Sequence, residues 1–296
     1  MIEELKTFIS VVEQKSFTKA AKQINISQPS VSLHILALEK QFNSRLIERS
    51  SKQKTITITQ TGEILYKKAK QIVNIINDTK EEIDNYNNSI CGTFKIGSSM
   101  TIGEFLLPSV LGAFVKDYPN VKLEVTIENT HKIYEKFKNY DIDIALIEGT
   151  IPIGNYKSTN FYKDNMVIVT PLHFNNDKNL NFKDYLSNLT WIHREEGSGT
   201  GENLKAFLNS EGISPKNFII LGSNFAIKEA VKNGLGVTFI SSLVIEKAQS
   251  SNEVKILPTD TQYNRYFSYL VHEKSISRLS ELFLEKLNAY INIWYF

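Results

Sequence analysis

A chain with one cysteine cannot close an internal disulfide, and Cys91 stands alone among 296 residues; a reducing compartment is the default for such a protein. No run is long and apolar enough to cross a bilayer. The opening MIEELKTF has neither the basic start nor the apolar core of a secretory leader. A cytoplasmic protein without membrane contact is therefore expected. The five histidines (His34, His131, His173, His193 and His272) lack metal-ligand spacing. There is no G-x-S-x-G elbow, and the segment GSGTG lacks the Lys-Ser/Thr of a nucleotide-binding loop and the spacing of a dinucleotide fingerprint. No catalytic residue, metal or cofactor is assigned. Lone Asp141 and Asp143, flanking Ile142, read as solvated groups at a strand start. No strict internal repeat is visible.

What is present is an ordinary globular composition, 42% hydrophobic and 22% charged, long enough for two or three domains. The net charge of +2 hides an asymmetry. Residues 1–70 hold 12 Lys/Arg against 6 Asp/Glu, and the remainder is net negative. A basic N-terminal segment suits a polyanionic partner there and a different task elsewhere.

Ser16 to Glu39, SFTKAAKQINISQPSVSLHILALE, carries the most information. Ser16 can cap a helix whose apolar stripe is Phe17, Ala20, Ala21 and Ile24. Asn25 tolerates the left-handed conformation a tight turn needs. Ser27 can cap a second helix with Pro29 in its first turn, burying Val31, Ile35 and Leu38. Small Ala20 and Ala21 permit the close crossing of a helix-turn-helix. Gln28, Ser30, Ser32 and His34 would face outward, able to meet base edges, with Thr18 and Ser27 beside them and Pro29 near a thymine methyl. An ordinary helical hairpin is the other reading of this pattern. Leu5, Phe8, Ile9 and Val12 give an earlier helix. Leu46–Arg49 and Thr55–Thr59 flank a polar turn and read as a β-wing whose Arg49, Lys52 and Lys54 would hold phosphates; a solvated loop is the alternative.

Residues 60–88 predict a long helix. Leu65, Ala69, Ile72, Ile76, Thr79, Ile83 and Tyr86 follow a 4-3-4-3-4-3 spacing, a coiled-coil seam over about three heptads. The economical partner is the same helix from a second copy, although the seam could instead pack on the downstream domain. A two-fold dimer would place two recognition helices on one face of double-stranded DNA, predicting a pseudo-palindromic site.

From Gly92 strands and helices alternate, the α/β signature. Strands are expected at 93–97, 121–127, 142–147, 166–170, 190–192, 218–221, 236–240 and 266–271. Helices are expected at 101–118, at 131–139, from about 200, from 226, and at 277–291. Two lobes with crossovers near 160–165 and 264–269 result. The domains are expected at 1–59 (winged helix-turn-helix), 60–89 (linker helix), 90–163 with 267–296 (lobe I) and 164–266 (lobe II). In open α/β sheets ligands sit beyond strand carboxyl ends, where helix starts offer free N–H groups. Four segments fit: Ser98-Ser99-Met100-Thr101, Asn129-Thr130, Glu195 to Gly201 (with Gly197, Ser198, Gly199 and Thr200), and Gly222-Ser223-Asn224. Their hydroxyls suit a carboxylate, sulfate or phosphate. Glu148 could orient a donor group of the ligand. At any one of these positions Ser, Thr or Asn is also simply a good N-cap.

SFTKAAKQINISQPSVSLHILALEKQF followed by LIERSSKQKTITITQTGEIL resembles LysR-type transcriptional regulators, and the likeness extends along the entire chain. It implies an N-terminal winged helix-turn-helix, a dimerising linker helix and two α/β lobes of periplasmic-binding-protein type. It further implies homotetramers on DNA and a small effector between the lobes. IGSSMTIGEFLLP, ALIEG and REEGSGT are similar to the branch regulating sulfur assimilation, cysteine synthesis and carbon fixation. Many members carry Arg where this chain has Leu33, which bears on base preference, and an aromatic where it has Ile47. The branch usually continues GSGT with an Arg suited to an anionic effector, and here that residue is Gly201; Lys205, one turn on, is a substitute.

The expected function is thus sequence-specific DNA binding and transcriptional regulation, modulated by a small anionic metabolite in the cleft, with RNA polymerase as a further partner. The competing reading is a cytoplasmic solute-binding sensor whose N-terminal helices serve assembly only. A transferase using the GSGTG loop ranks behind both.

Overall fold

The computed structural model describes residues 1–49, 56–87, 90–154, 156–173, 182–273 and 276–294. The chain divides into two compact units, Met1–Ser89 and Ile90–Phe296.

The first unit opens with α1 (Ile2–Gln14), α2 (Phe17–Gln23) and α3 (Gln28–Gln41). The expected caps are made. Ser16 accepts from the Lys19 amide and Ser27 from the Ser30 amide at 3.2 Å. Asn25 adopts φ 55°, and the Ile26 amide returns to Ala21 O at 3.0 Å, closing the turn. Leu5, Phe8 and Val11 of α1 meet Ala20, Ala21, Val31, Ile35 and Leu38 in one buried core. The wing strands β1 (Ile47–Arg49) and β2 (Ile56–Ile58) pair antiparallel, Ile47 opposite Ile58. Glu39 anchors them by accepting from the amides of Leu46 and Ile47. The tip of the wing, with Lys52 and Lys54, lies outside the described residues. α4 (Gln60–Asn87) follows. The seam divides along it: Leu65 and Ala69 complete the unit's own core, whereas Ile72 is 41% exposed. Gly62 permits the close start, because a Cβ there would lie 2.2 Å from Leu46 O.

The second unit runs through β3 (Gly92–Ser99), α5 (Met100–Phe105), α6 (Leu107–Asp117), β4 (Val121–Glu128), α7 (Thr130–Lys138), β5 (Ile144–Glu148) and β6 (Lys157–Pro171). It continues with α8 (Phe182–Ser187), β7 (Thr190–Arg194), α9 (Gly199–Ser210), β8 (Asn217–Leu221), α10 (Asn224–Lys232), β9 (Thr238–Ser241) and α11 (Ser242–Ser250). The last elements are β10 (Val254–Leu257), β11 (Tyr263–Val271) and α12 (Arg278–Trp294). One sheet has the order β10-β6-β11-β5-β3-β4, with β9 also on β6. β3 is parallel to β4 and β5, whereas β11 is antiparallel to β5 and β6. β7 and β8 pair parallel beside it, linked through the Trp191–Val237 bridge. Lobe I packs α5, α6 and α12 around Phe94, Phe114 and Phe283 on one face of its strands, and α7 around Ile133 and Phe137 on the other. Lobe II centres on Trp191, Phe207 and Phe239, with a second cluster around Ile192, Ile227 and Ile240.

Several expectations are corrected. The helix expected over 101–118 is two helices broken at Leu106; Pro108 has no N–H to return to the residue four before it, so one helix cannot run through. Ser98 and Ser99 end a strand instead of forming a loop. α9 begins at Gly199 and α10 at Asn224, each a residue or two earlier than expected. The strand at 166–170 is the far half of the 15-residue strand β6; the expected crossovers near 160–165 and 264–269 lie along the paired strands β6 and β11. Asp143 is not merely solvated: it accepts from the Lys95 amide at 2.8 Å and pins β5 beside β3.

Candidate functional site

In the first unit, α3 turns Val31, Ile35 and Leu38 inward, which leaves Pro29, Leu33, Leu36 and Lys40 on the opposite stripe, with Gln28 exposed beside them. Thr18 and Ser27 are exposed too. The polar residues of the first turns are already paired with one another. Ser27 and Ser30 share a hydroxyl–hydroxyl bond of 2.8 Å, and Gln28 Nε2 donates to Ser32 Oγ at 3.1 Å. Exposed hydroxyl and amide pairs of this kind can exchange partners for base edges at little cost. His34 is different and corrects the expectation of a fully outward residue. Its Nδ1 shares a 2.8 Å hydrogen bond with Thr7 Oγ1, itself buried, and so ties α3 to α1. Arg49 ends β1, but its side chain, like Lys52 and Lys54, lies outside what is described.

In the second unit the carboxyl ends of β3 and β5 and the starts of α5, α7, α9 and α10 converge. Glu148, at the end of β5, is buried. Its Oε1 accepts from Thr101 Oγ1 of α5 at 3.1 Å and from Thr200 Oγ1 of α9 at 3.0 Å, joining the two lobes through one carboxylate oxygen. Its backbone carbonyl accepts from Thr130 Oγ1 at 2.8 Å. α9 can come this close only because its first residue is glycine: a Cβ on Gly199 would lie 2.2 Å from Glu148 O.

Arg265 of β11 reaches into the same cluster. Its Nε donates to Asp164 Oδ2 at 2.7 Å, Nη1 to Thr200 at 3.0 Å and Nη2 to Thr101 at 3.2 Å, with Glu148 Oε2 at 3.4 Å. Asp164 also accepts from Ser241 at 2.6 Å. Burial pushes the Asp164 carboxyl above its usual range, against the pull of Arg265 and Ser241. A second arginine, Arg194, is 1% exposed. It donates to Asn224 Oδ1 at 2.9 Å, and Asn224 donates on to Thr101 at 3.1 Å. Arg194 also grips Glu195 through Nε and Nη2, both at 2.8 Å, and Asn129 Nδ2 donates to the same carboxylate at 3.2 Å. Burial alone would raise the Glu195 carboxyl; the Arg194 and Asn129 hydrogen bonds outweigh it and hold the group below its ordinary value. The His131 amide donates to Gly197 O at 3.1 Å, a further tie between the lobes. Two buried acceptors of the cluster have no hydrogen bond: Ser99 Oγ and Glu148 Oε2.

Of the residues expected around the effector, Thr101, Asn129, Thr130, Glu148, Glu195, Gly197, Gly199, Thr200 and Asn224 thus come together, with Ser99 beside them. Ser198 and Ser223 use their hydroxyls to cap α9 and α10. Ser98 Oγ turns to the Ser99 carbonyl. Met100 opens α5 half-buried and brings no polar side-chain group. Lys205 does not replace an arginine at position 201. It is exposed and lines a separate groove with His193, Leu208, Phe218 and Ile220. The positive charge in the cluster is that of Arg194 and Arg265. Position 201 lies against the Arg194 backbone, where a Cβ would come 3.2 Å from Arg194 O. Sequence reasoning passed over Arg194, Asp164 and Arg265 because a charged residue within a strand reads as solvent-facing. The available signal was their position: Arg194 directly precedes the Glu195 loop, and the other two stand in the expected crossovers.

No helix among the described residues is long and apolar enough to cross a membrane, and none of their His, Cys, Asp and Glu side chains form a group that could hold a metal ion.

Residues 2–63 match the family described as bacterial regulatory helix-turn-helix protein, lysR family, and residues 87–291 match the LysR substrate binding domain. The chain belongs to the LysR family. Among its relatives, the HTH-type transcriptional regulator CysL of Bacillus subtilis is 42% identical over 269 residues, covering 90% of this chain and 89% of CysL. The probable RuBisCO transcriptional regulator of Trieres chinensis is 30% identical over 298 residues, covering 97% and 96%. Both fit the expected branch of the family. The crystal structure of ArgP from Mycobacterium tuberculosis shares the fold, with a TM-score of 0.79 at 14% identity over 97% of this chain and 96% of ArgP. This LysR-family protein is a transcriptional regulator with a helix-turn-helix domain and an effector-binding domain, and not an enzyme. The solute-sensor and transferase readings are set aside.

Proposed function

We propose that this cytoplasmic regulator holds a small metabolite between its lobes and that the bound metabolite alters how paired copies grip DNA. The observation that carries the effector site is the Glu148 cluster. One buried carboxylate takes hydroxyls from both lobes, while Ser99 Oγ lies buried without a hydrogen bond and Glu148 Oε2 has only its 3.4 Å ion pair with Arg265. A buried acceptor left without a donor is costly, and a ligand donor would relieve it. An anionic group on the same metabolite would take the place of the Glu195 carboxylate on Arg194 and Asn129. Glu195 is the exposed member of that set, its side chain 33% accessible, and the one most easily displaced. The effector is accordingly a small molecule carrying both an anionic group and a hydrogen-bond donor.

On DNA, Thr18, Ser27, Gln28, Pro29, Ser30 and Ser32 lie against the major groove, with His34 orienting α3. Arg49, Lys52 and Lys54 hold phosphates. Residues 60–89 pair two copies through the seam that continues beyond the unit's own core at Ile72, giving a pseudo-palindromic site, and dimers pair into a tetramer. Rotation of one lobe against the other changes that pairing, and with it DNA bending and contact with RNA polymerase.

The test is thermal unfolding of the full chain with sulfate, phosphate, phosphorylated sugar acids and amino-acid derivatives. A ligand at about 100 times its Kd stabilises by about 2.7 kcal/mol. A hit should lose its effect in Thr101→Val and should change the footprint on upstream DNA. A stabilising ligand that leaves the footprint unaltered, or whose effect survives Thr101→Val, counts against the reading.

A further inference from the structure

The outward face of α3 is not chiefly polar. Its exposed large apolar side chains are Leu33, 65% exposed, and Leu36, 58% exposed. With Pro29 before them and Lys40 after, they form one stripe at helical spacings of four, three and four residues, opposite Val31, Ile35 and Leu38. The polar side chains of the same turns are engaged: Ser27 with Ser30, Gln28 with Ser32, and His34 with Thr7. A single exposed leucine needs no explanation. Two in adjacent turns of the helix that faces DNA do. The stripe ends in exposed Lys40, and the unit that carries it is basic, which would oppose packing against a second copy of the same unit and favour a polyanion.

A major groove offers one apolar recognition feature, the C5-methyl of thymine; every other base-edge group there is a hydrogen-bond donor or acceptor. We infer that Leu33 packs on a thymine methyl in each half-site, so that an A·T pair is specified there by apolar contact where an arginine would select guanine. The inference rests on α3 being the helix that enters the groove. Leu33 lies in the second turn, within reach of base edges, whereas Leu36 stands nearer the point where such a helix leaves the groove floor.

Duplexes bound by the full-length protein are selected from a random pool. Each thymine of the selected site is then replaced singly by deoxyuridine, which keeps pairing and O4 and removes only the methyl. At one position per half-site the replacement should weaken binding about fourfold, the factor for losing one buried methyl-sized group. Leu33→Ala should bind the thymine and uracil duplexes equally, and Leu33→Arg should select G·C at that position. Leu33 is largely exposed, so both variants should retain the unfolding temperature of the parent. Uniform indifference to uracil overturns the inference, as does a Leu33→Ala protein that still distinguishes the two bases. Equal loss on all duplexes together with a lower sedimenting mass would assign the stripe to contact between copies. If Gln28→Ala, Ser32→Ala and Leu33→Ala all leave selection unchanged, the placement of α3 in the groove fails first.

Discussion

Replacing Arg265 by Gln would remove the guanidinium that touches Asp164, Glu148, Thr101 and Thr200 together. With it go one charge-assisted hydrogen bond of 2.7 Å, an ion pair at 3.4 Å and two hydrogen bonds to hydroxyls at 3.0 and 3.2 Å. Asp164 and Glu148 remain buried without their counter-charge. Breaking a buried pair from one side costs about 3–5 kcal/mol, because the surviving charge is left uncompensated. For a domain of this size each kcal/mol lowers Tm by about 2–4 °C, so a fall of roughly 10 °C is expected for the effector unit at pH 8. The deficit should depend on pH with a definite sign. Burial raises the Asp164 carboxyl and Arg265 pulls it down; without Arg265 it rises further. A carboxyl whose folded pKa exceeds its unfolded value binds more protons when folded, so stability drops as pH rises through that interval. The variant should therefore approach the parent protein as pH falls to the ordinary carboxylate range, about 4, and fall further behind as pH rises above it. Urea melts of the full chain at several pH values, read in the transition of the second unit, measure this. An Arg265→Gln protein within 1 kcal/mol of the parent at pH 8, or with an unchanged pH profile, would refute the assignment of Arg265 as the counter-charge of the cluster.

Other outcomes follow from single positions. His272 is sandwiched between Phe137 and Tyr140 at 4.0 Å from each ring, and burial lowers its pKa to about 4; because the unfolded chain takes up the proton first, stability should fall as pH drops from about 6.5 toward 4, and His272→Phe should flatten that fall in acid melts. Gly199→Ala places a methyl 2.2 Å from the Glu148 carbonyl oxygen, and calorimetry should show a loss of about 1–3 kcal/mol through overpacking. Ile72→Glu puts a charge in the exposed part of the linker seam and should halve the sedimenting mass, whereas an unchanged mass would move the dimer contact elsewhere. Lys54→Ala should weaken binding to all duplexes alike and reduce the slope of log K against log salt by about 1; an unaltered slope removes Lys54 from the phosphate contacts.

The helix-turn-helix was legible because every determinant is local. Caps at Ser16 and Ser27, a left-handed turn at Asn25 and a 3.6-residue apolar period all act within a few residues, and each is realised. The loops that meet at the Glu148 cluster were legible for the same reason, since a strand end followed by a Ser, Thr or Asn cap is a local pattern. What escaped depends on distance along the chain. Asp164 and Arg265 are a hundred residues apart and become partners only through the pairing of β6 with β11. Arg194 takes its role from Asn224, which lies thirty residues on. The break between α5 and α6 has a local signal in Pro108 that the reading of one helix over 101–118 did not use. α8, α11 and β10 were absent from the sequence reading, although α11 is as long as α7 and α10.

The crossing of β6 and β11 has a mechanical corollary. The two strands pair from Lys157 opposite Val271 to Met166 opposite Tyr263, interrupted only by the irregularity at Phe267/Ser268. Adjacent hydrogen-bonded strands are rotated against one another by roughly 10 to 35°, so twist is the coordinate along which such a pair varies most. The lobes are therefore joined by a torsion bar and not by a loose joint, with the Asp164–Arg265 clamp set on the bar and the Phe267/Ser268 irregularity as its soft spot. Under the proposed rotation of one lobe against the other, such a coupling would pass on a small angle with little slack.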